Sequence, residues 1–164
     1  MACRLCSKNW VWEFTNQTKL CKRCFVNYFE KKLLKIVRKY GMRDSKIIKS
    51  DDLRGNVISS ILGKIVTGKG KRLDIENLND FSVSILEALM SKNINNFNKL
   101  KPCYKPLYFF SDAEINLYAK IKGIKGKITR KLNKKEIKID SFLEHLESNN
   151  KDIRHNVVNS LSRL

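Results

Sequence analysis

No stretch of this chain approaches the roughly 18 consecutive apolar residues of a membrane helix. Its first residues also lack the apolar centre of a signal peptide. Both absences lead us to expect a cytoplasmic protein with no membrane partner. Proline is nearly missing: Pro102 and Pro106 are the only two, and they mark a boundary or rigid loop around 101–107. Histidine is equally scarce, with His145 and His155 alone, so no Ser-His-Asp or Cys-His set with supporting context can be assembled. Among the seven glycines, the only phosphate-gripping candidate is TGKG at 67–70. It lacks the GxxxxGK[ST] pattern and follows no strand, so its plain reading is a solvated basic turn. Acidic residues are also few. Against 34 Lys and Arg stand 16 Asp and Glu, giving a formal net charge of +18, which favours a polyanionic partner, nucleic acid before an anionic membrane.

What is present begins with cysteine. Cys3, Cys6, Cys21 and Cys24 spell C-x2-C-x14-C-x2-C, and in a reducing compartment such pairs read as metal ligands before disulfides. Each CxxC knuckle can put two thiolates on one ion, and the intervening loop is long enough to close a tetrahedral site. Structural zinc is the expected occupant, with iron in the same cage as the alternative. Trp10, Trp12 and Phe14 alternate between the knuckles, the pattern of a small apolar patch that covers the ribbon or docks it on the main body, with a base-stacking surface as the alternative. The fifth cysteine, Cys103, has no nearby His and reads as structural or incidental.

Helical periodicity starts where the cysteines end. Apolar positions 25, 29, 33, 36, 37 and 40 fall on one helix face, with Gly41 at its C-terminus. Lys31, Lys35, Arg38 and Lys39 on the remaining surface are candidate phosphate contacts. A second helix is expected over 53–66, headed by Asp51 and Asp52, and a third through Leu78, Phe81, Ile85 and Leu89, capped near Asn79 or Asp80. NINNFN at 93–98 suggests a turn. Ser111 and Glu114 match a capping box before a fourth helix closed by Gly123 and Gly126. The tract 122–138 reads as a basic surface loop, with Lys125, Lys127, Arg130 and Lys131 as a second phosphate-contact patch. Ser141 and Glu144 suggest another helix start, and the tail from Asp152 continues helically. Strands are expected only at 11–14 and 72–75.

The pieces, in this order, resemble the archaeal and eukaryotic-cytosolic tRNA 2-thiolation enzymes, PP-loop ATPase relatives of the 2-thiocytidine synthetases. The carriers are the double CxxC, CFVNYFEKKLLKIVRKYGM, LRGNVISSILGKIV at 53–66, LNDFSVSILEALMSKNINNFNKLKP at 78–102, KPLYFFSDAEINLYAKIKGI at 105–124, and the late SFLEHLESNNKDIRHNVVNSLSRL. Together they cover about two thirds of the chain. The resemblance implies a mainly α protein with a small zinc ribbon at 1–25, and a mostly helical remnant of an α/β PP-loop (adenine nucleotide alpha hydrolase-like) domain at 26–164. It also implies tRNA or another RNA as partner.

The departures bear on activity. The family's SGGKDS loop, which grips ATP, has no counterpart between KYGM and LRGN, so ATP has no visible grip. The active-site cysteine before the LRR-type helix is replaced around Ser50, and KGKITRKLNKKE lacks the second. RLDIEN stands where the family has GHN. Helices deprived of their sheet must repack among themselves or lean on a homo-oligomeric or active paralogous subunit. The reading that follows is a non-catalytic tRNA-binding or scaffolding relative of a tRNA 2-thiolation system. Its alternatives are ATP-dependent tRNA 2-thiouridine synthesis with a site completed by another chain, and a generic zinc-ribbon nucleic-acid-binding protein.

Overall fold

The computed structural model describes residues 2–47, 50–91 and 100–161. Two short antiparallel strands, β1 (Trp12–Glu13) and β2 (Lys19–Leu20), pair Trp12 with Leu20 and Glu13 with Lys19. Among the described residues six α-helices follow: α1 (Lys22–Lys39), α2 (Leu53–Leu62), α3 (Leu78–Met90), α4 (Asp112–Lys122), α5 (Lys134–Asn149) and α6 (Ile153–Ser160). The chain is mainly helical, as expected. The second strand expected at 72–75 reduces to a single bridge between Lys46 and Arg72, and the asparagine-rich 93–98 lies outside the described residues.

Local chemistry explains most boundaries. Gly41, at φ +62, ends α1 in the left-handed conformation that suits glycine. Arg38 and Lys39 occupy the last turn of α1, where the helix dipole favours cations. Asp52 caps α2 by accepting from the Arg54 N–H at 2.8 Å. That helix ends at Leu62, a turn earlier than expected, and leaves Ile65 exposed. The cap of α3 is Asn77, not Asn79 or Asp80. At α4 the capping box closes both ways: Ser111 Oγ accepts from Glu114 N at 3.2 Å, and Ser111 N donates to Glu114 Oε2 at 2.9 Å. The same device starts α5 at Asn133, whose N–H donates to Glu136 and whose side chain accepts from Lys135 N and Glu136 N. Ser141 therefore lies inside a helix and starts none.

Two helical groups result. α1, α2 and α4 enclose the larger core around Phe25, Phe29, Leu33, Val57, Phe110 and Tyr118. Phe29 stacks on Tyr118 at 4.3 Å and meets Phe110 at 4.4 Å. α3, α5 and α6 form the second group, burying Phe81, Ile85 and Val158 on one side of α3 and Val83, Ile139 and Leu143 on the other. Tyr108 and Phe109 pack against both groups. The helices thus pack among themselves.

The segment 125–129 is no free loop. Leu53 N donates to Lys127 O at 3.0 Å, Asn56 Nδ2 to Lys125 O at 3.0 Å, and Thr129 N to Asp52 Oδ2 at 2.9 Å. Gly126 makes this approach possible: its φ is +142, and a Cβ there would stand 3.1 Å from Leu53 Cα. Gly126→Ala combines backbone strain with a clash and should lower unfolding free energy by about 1–3 kcal/mol. Gly68→Ala, also at positive φ but with open space around it, should cost less. Urea midpoints of the two variants check the order; equal losses would contradict it.

Candidate metal centre and basic face

The four N-terminal cysteines converge. All four sulfurs lie within 4.8 Å of one another, with Cys6 Sγ 3.4 Å from Cys21 Sγ and 3.7 Å from Cys24 Sγ. Local backbone geometry makes the first knuckle: Cys3 N donates to Lys8 O, and Ser7, at φ +58, donates to Cys3 O. The β-hairpin turns through Gln17 at φ +62 and returns the second knuckle beside the first, so that Cys21 sits at the N-cap of α1. Cys3 and Cys21 are buried, Cys24 is half-buried and Cys6 exposed. Burial works against a charge on Cys3, but N–H groups of Cys21, Leu5 and Cys6 outweigh it and bring the thiol down to about 6. Burial and the neighbouring Cys21, Cys6 and Cys3 push Cys24 up to about 12. Adjacent thiolates repel, and a cation among them removes that penalty.

The aromatic residues between the knuckles hold this module on α1. Trp12 meets Phe25 at 5.5 Å and Phe14 meets Tyr28 edge-on at 4.8 Å. Trp10 stays partly exposed, with Lys19 4.9 Å above its ring.

The basic residues separate into two surfaces and an interior. Lys31, Lys35, Arg38 and Lys39 are exposed along α1. Lys31, Lys35 and Lys39 line a cleft of about 580 Å³ that also includes Tyr28, Lys32, Tyr108, Phe109 and Asn159. Lys125, Lys127 and Lys131 are exposed on the α4–α5 connection. Arg130 departs from the expectation of a phosphate contact. Its guanidinium pairs with Asp80, Asp112 and Asp140, turning it inward.

Sequence reasoning missed the roles of Lys32, Arg54 and Arg154. Lys32 lies beneath the cleft, paired with Glu114 at 3.3 Å and 4.3 Å from the Phe110 ring centroid. Burial lowers its pKa, partly opposed by Glu114. Arg54 and Arg154 are buried in the same ionic network as Arg130. His155 faces the Phe109 ring at 4.8 Å, and burial together with Lys32 keeps its pKa low. The TGKG stretch is a turn whose Thr67 and Gly68 N–H groups bond back to Arg43 and Ser45.

A mainly helical chain carrying a four-cysteine cluster able to ligate a metal is the class that fold and site define. No protein-family model and no curated protein sequence matches the chain. Among solved structures it is similar to the U34-tRNA thiolase NcsA from Methanococcus maripaludis with its [4Fe-4S] cluster, at a TM-score of 0.75 and 13% identity, covering 99% of this chain and 86% of that one. The resemblance drawn from the motifs therefore holds at the level of the fold.

The same comparison overturns zinc as the cofactor. The metal group named for the similar structure is a [4Fe-4S] cluster, and four thiolates are a cluster's donor set as well as a zinc ion's, which CxxC spacing does not separate. What stands is a four-cysteine metal-ligating set.

Proposed function

We propose that the protein binds tRNA as a non-catalytic or scaffolding component of a tRNA 2-thiolation system. The observation that carries this reading is the fold similarity to a U34-tRNA thiolase across nearly the whole chain. The +18 charge and the lysine row on α1 support it. The missing PP-loop motif and missing active-site cysteines favour binding over catalysis. Residues 1–25 would serve as a metal-stapled module fixing the start of α1, and the rest as the helical remnant of a PP-loop domain. Lys31, Lys35, Arg38 and Lys39 would contact phosphates on one side, and Lys125, Lys127 and Lys131 on the other.

Phosphate contacts release counterions, so affinity falls with salt in proportion to their number. Bulk tRNA should bind with a steep salt dependence. The double reversal Lys35→Glu with Lys39→Glu should weaken binding by more than about tenfold and flatten that slope. A folded protein that ignores tRNA at low salt and retains no thiolase subunit from its own cell extract would defeat the proposal.

The extent of the fold match also favours a second reading, ATP-dependent tRNA 2-thiouridine synthesis with the site completed by another chain. Calorimetric titration with ATP, alone and with candidate partner subunits, decides it. Absence of binding in every combination removes the enzyme.

A further inference from the structure

The cleft on α1 has a composition that a plain phosphate-binding surface does not need. One wall is a single helical face, with Tyr28, Lys31, Lys32, Lys35, Ile36 and Lys39 at spacings of three, four and seven. The opposite wall comes from the turn bearing Tyr108 and Phe109, and from Asn159 of α6. Lys32 is tied to Glu114. Among the described residues, no carboxylate pairs with Lys31, Lys35 or Lys39. The rim therefore holds three uncompensated ammonium groups, while the interior offers aromatic and aliphatic surface. At about 580 Å³ the space lies within the range of small-molecule sites.

Positive rim and aromatic interior together match a nucleotide, which is anionic at one end and a flat π-system at the other. A duplex meets only the rim, because its bases are stacked and paired. An unpaired nucleotide of a strand can place its base inside while its flanking phosphates stay on the lysines. We infer that this cleft receives an unpaired nucleotide of an RNA strand, its base against the rings of Tyr28, Tyr108 and Phe109 and its phosphates on Lys31, Lys35 and Lys39.

The inference rests on the RNA-binding reading and deepens it by naming unpaired RNA as what this face selects. The rings are held for the purpose. Phe14 meets Tyr28 edge-on, Tyr108 lies edge-on to Tyr40 and Phe81, and His155 backs Phe109. The aromatic surface is thus formed before any ligand arrives, which lowers the entropic cost of binding.

The test compares a short fluorescent single-stranded RNA, a blunt RNA duplex and free AMP on the full chain. The single strand should bind more tightly than the duplex. Tyr108→Leu keeps apolar volume but removes the ring, and should weaken the single strand by about tenfold while leaving the duplex unchanged. Lys35→Glu with Lys39→Glu should weaken both RNAs. Equal single-strand binding by wild type and Tyr108→Leu overturns the cleft and leaves the RNA-binding reading intact; failure of the lysine reversal to affect either RNA overturns both. Free AMP binding as tightly as the strand would make this a free-nucleotide site and also overturn the proposal. Should Tyr108→Leu fail to fold, ultraviolet cross-linking of the wild-type protein to the same single strand replaces it. Cross-links on Tyr28, Tyr108 or Phe109 support the inference, and cross-links confined to other surfaces overturn it.

Discussion

Arg154→Ala should destabilise the protein by about 3–5 kcal/mol, the cost of orphaning a buried charge. This side chain is 1% exposed. Its Nε donates to Glu147 at 3.0 Å, one terminal nitrogen reaches Asp140 Oδ1 at 2.8 Å, and the other donates to Ser82 Oγ at 3.1 Å and Asn79 O at 3.3 Å. A residue of α6 therefore holds α3 and α5 together. Against a typical total of about 5–15 kcal/mol, the loss would leave little of a cooperative transition. Arg154→Lys should rescue only part, because an ammonium cannot address this planar set of acceptors. The double change Arg154→Met with Glu147→Gln should cost less than Arg154→Ala alone, since Asp140 keeps Arg130 as its partner and no carboxylate is left unpaired. Urea denaturation of the three variants gives the comparison. A single-variant loss below about 1 kcal/mol would show that the network contributes nothing net.

Arg154 ends a longer chain of charges. Asp52 bonds Arg54 through both carboxylate oxygens, Arg54 pairs with Asp80, Asp80 with Arg130, and Arg130 with Asp112 and Asp140, which returns to Arg154. Burial alone would raise the Asp52 pKa, but hydrogen bonds from Arg54 and from the Thr129 and Arg54 N–H groups bring it down. For Asp80, burial outweighs its arginines and the pKa rises. None of this network was legible in a sequence with 34 basic residues, where each arginine reads as surface by default. A usable signal existed all the same. Arg54 sits between Leu53 and Val57, and Arg154 beside Ile153 and Val158, all on apolar faces where a charge requires a partner.

What was legible had short range. The cysteine spacing, the apolar stripe of α1 and the Ser111–Glu114 box depend on residues near one another in sequence, and the structure forms each of them. The same local motif failed at Ser141–Glu144, because Asn133–Glu136 offers an earlier cap and packing of Ile139 and Leu143 under α3 carries the helix through. The second basic patch failed at Arg130 for a long-range reason: three carboxylates from α3, α4 and α5 meet there. The cleft was half legible. Its lysines follow from helix periodicity, whereas Tyr108 and Phe109 come from 69 or more residues away and only the fold brings them to α1.

Replacing any one of Cys3, Cys6, Cys21 or Cys24 by serine should lower affinity for the metal by more than roughly 100-fold, exceeding the loss of a mere outer-shell partner, and loosen residues 1–25. The four sulfurs lie within 4.8 Å of one another, and two of the cysteines are buried, so each variant leaves three thiols crowded without the cation that would compensate their charge. Elemental analysis, with iron and acid-labile sulfide measured beside total metal, gives the first readout, and hydrogen exchange gives the second. Protection should fall in β1, β2 and the first turns of α1, while α3, α5 and α6 keep theirs, because their cores share no residue with the cysteine module. Cys103→Ser, at an exposed position outside the cysteine set, should change neither readout. Unchanged metal content in all four ligand variants would remove the metal centre. The consequence should reach the cleft as well: Phe14 of the module backs Tyr28, so each ligand variant should bind single-stranded RNA more weakly than Cys103→Ser does.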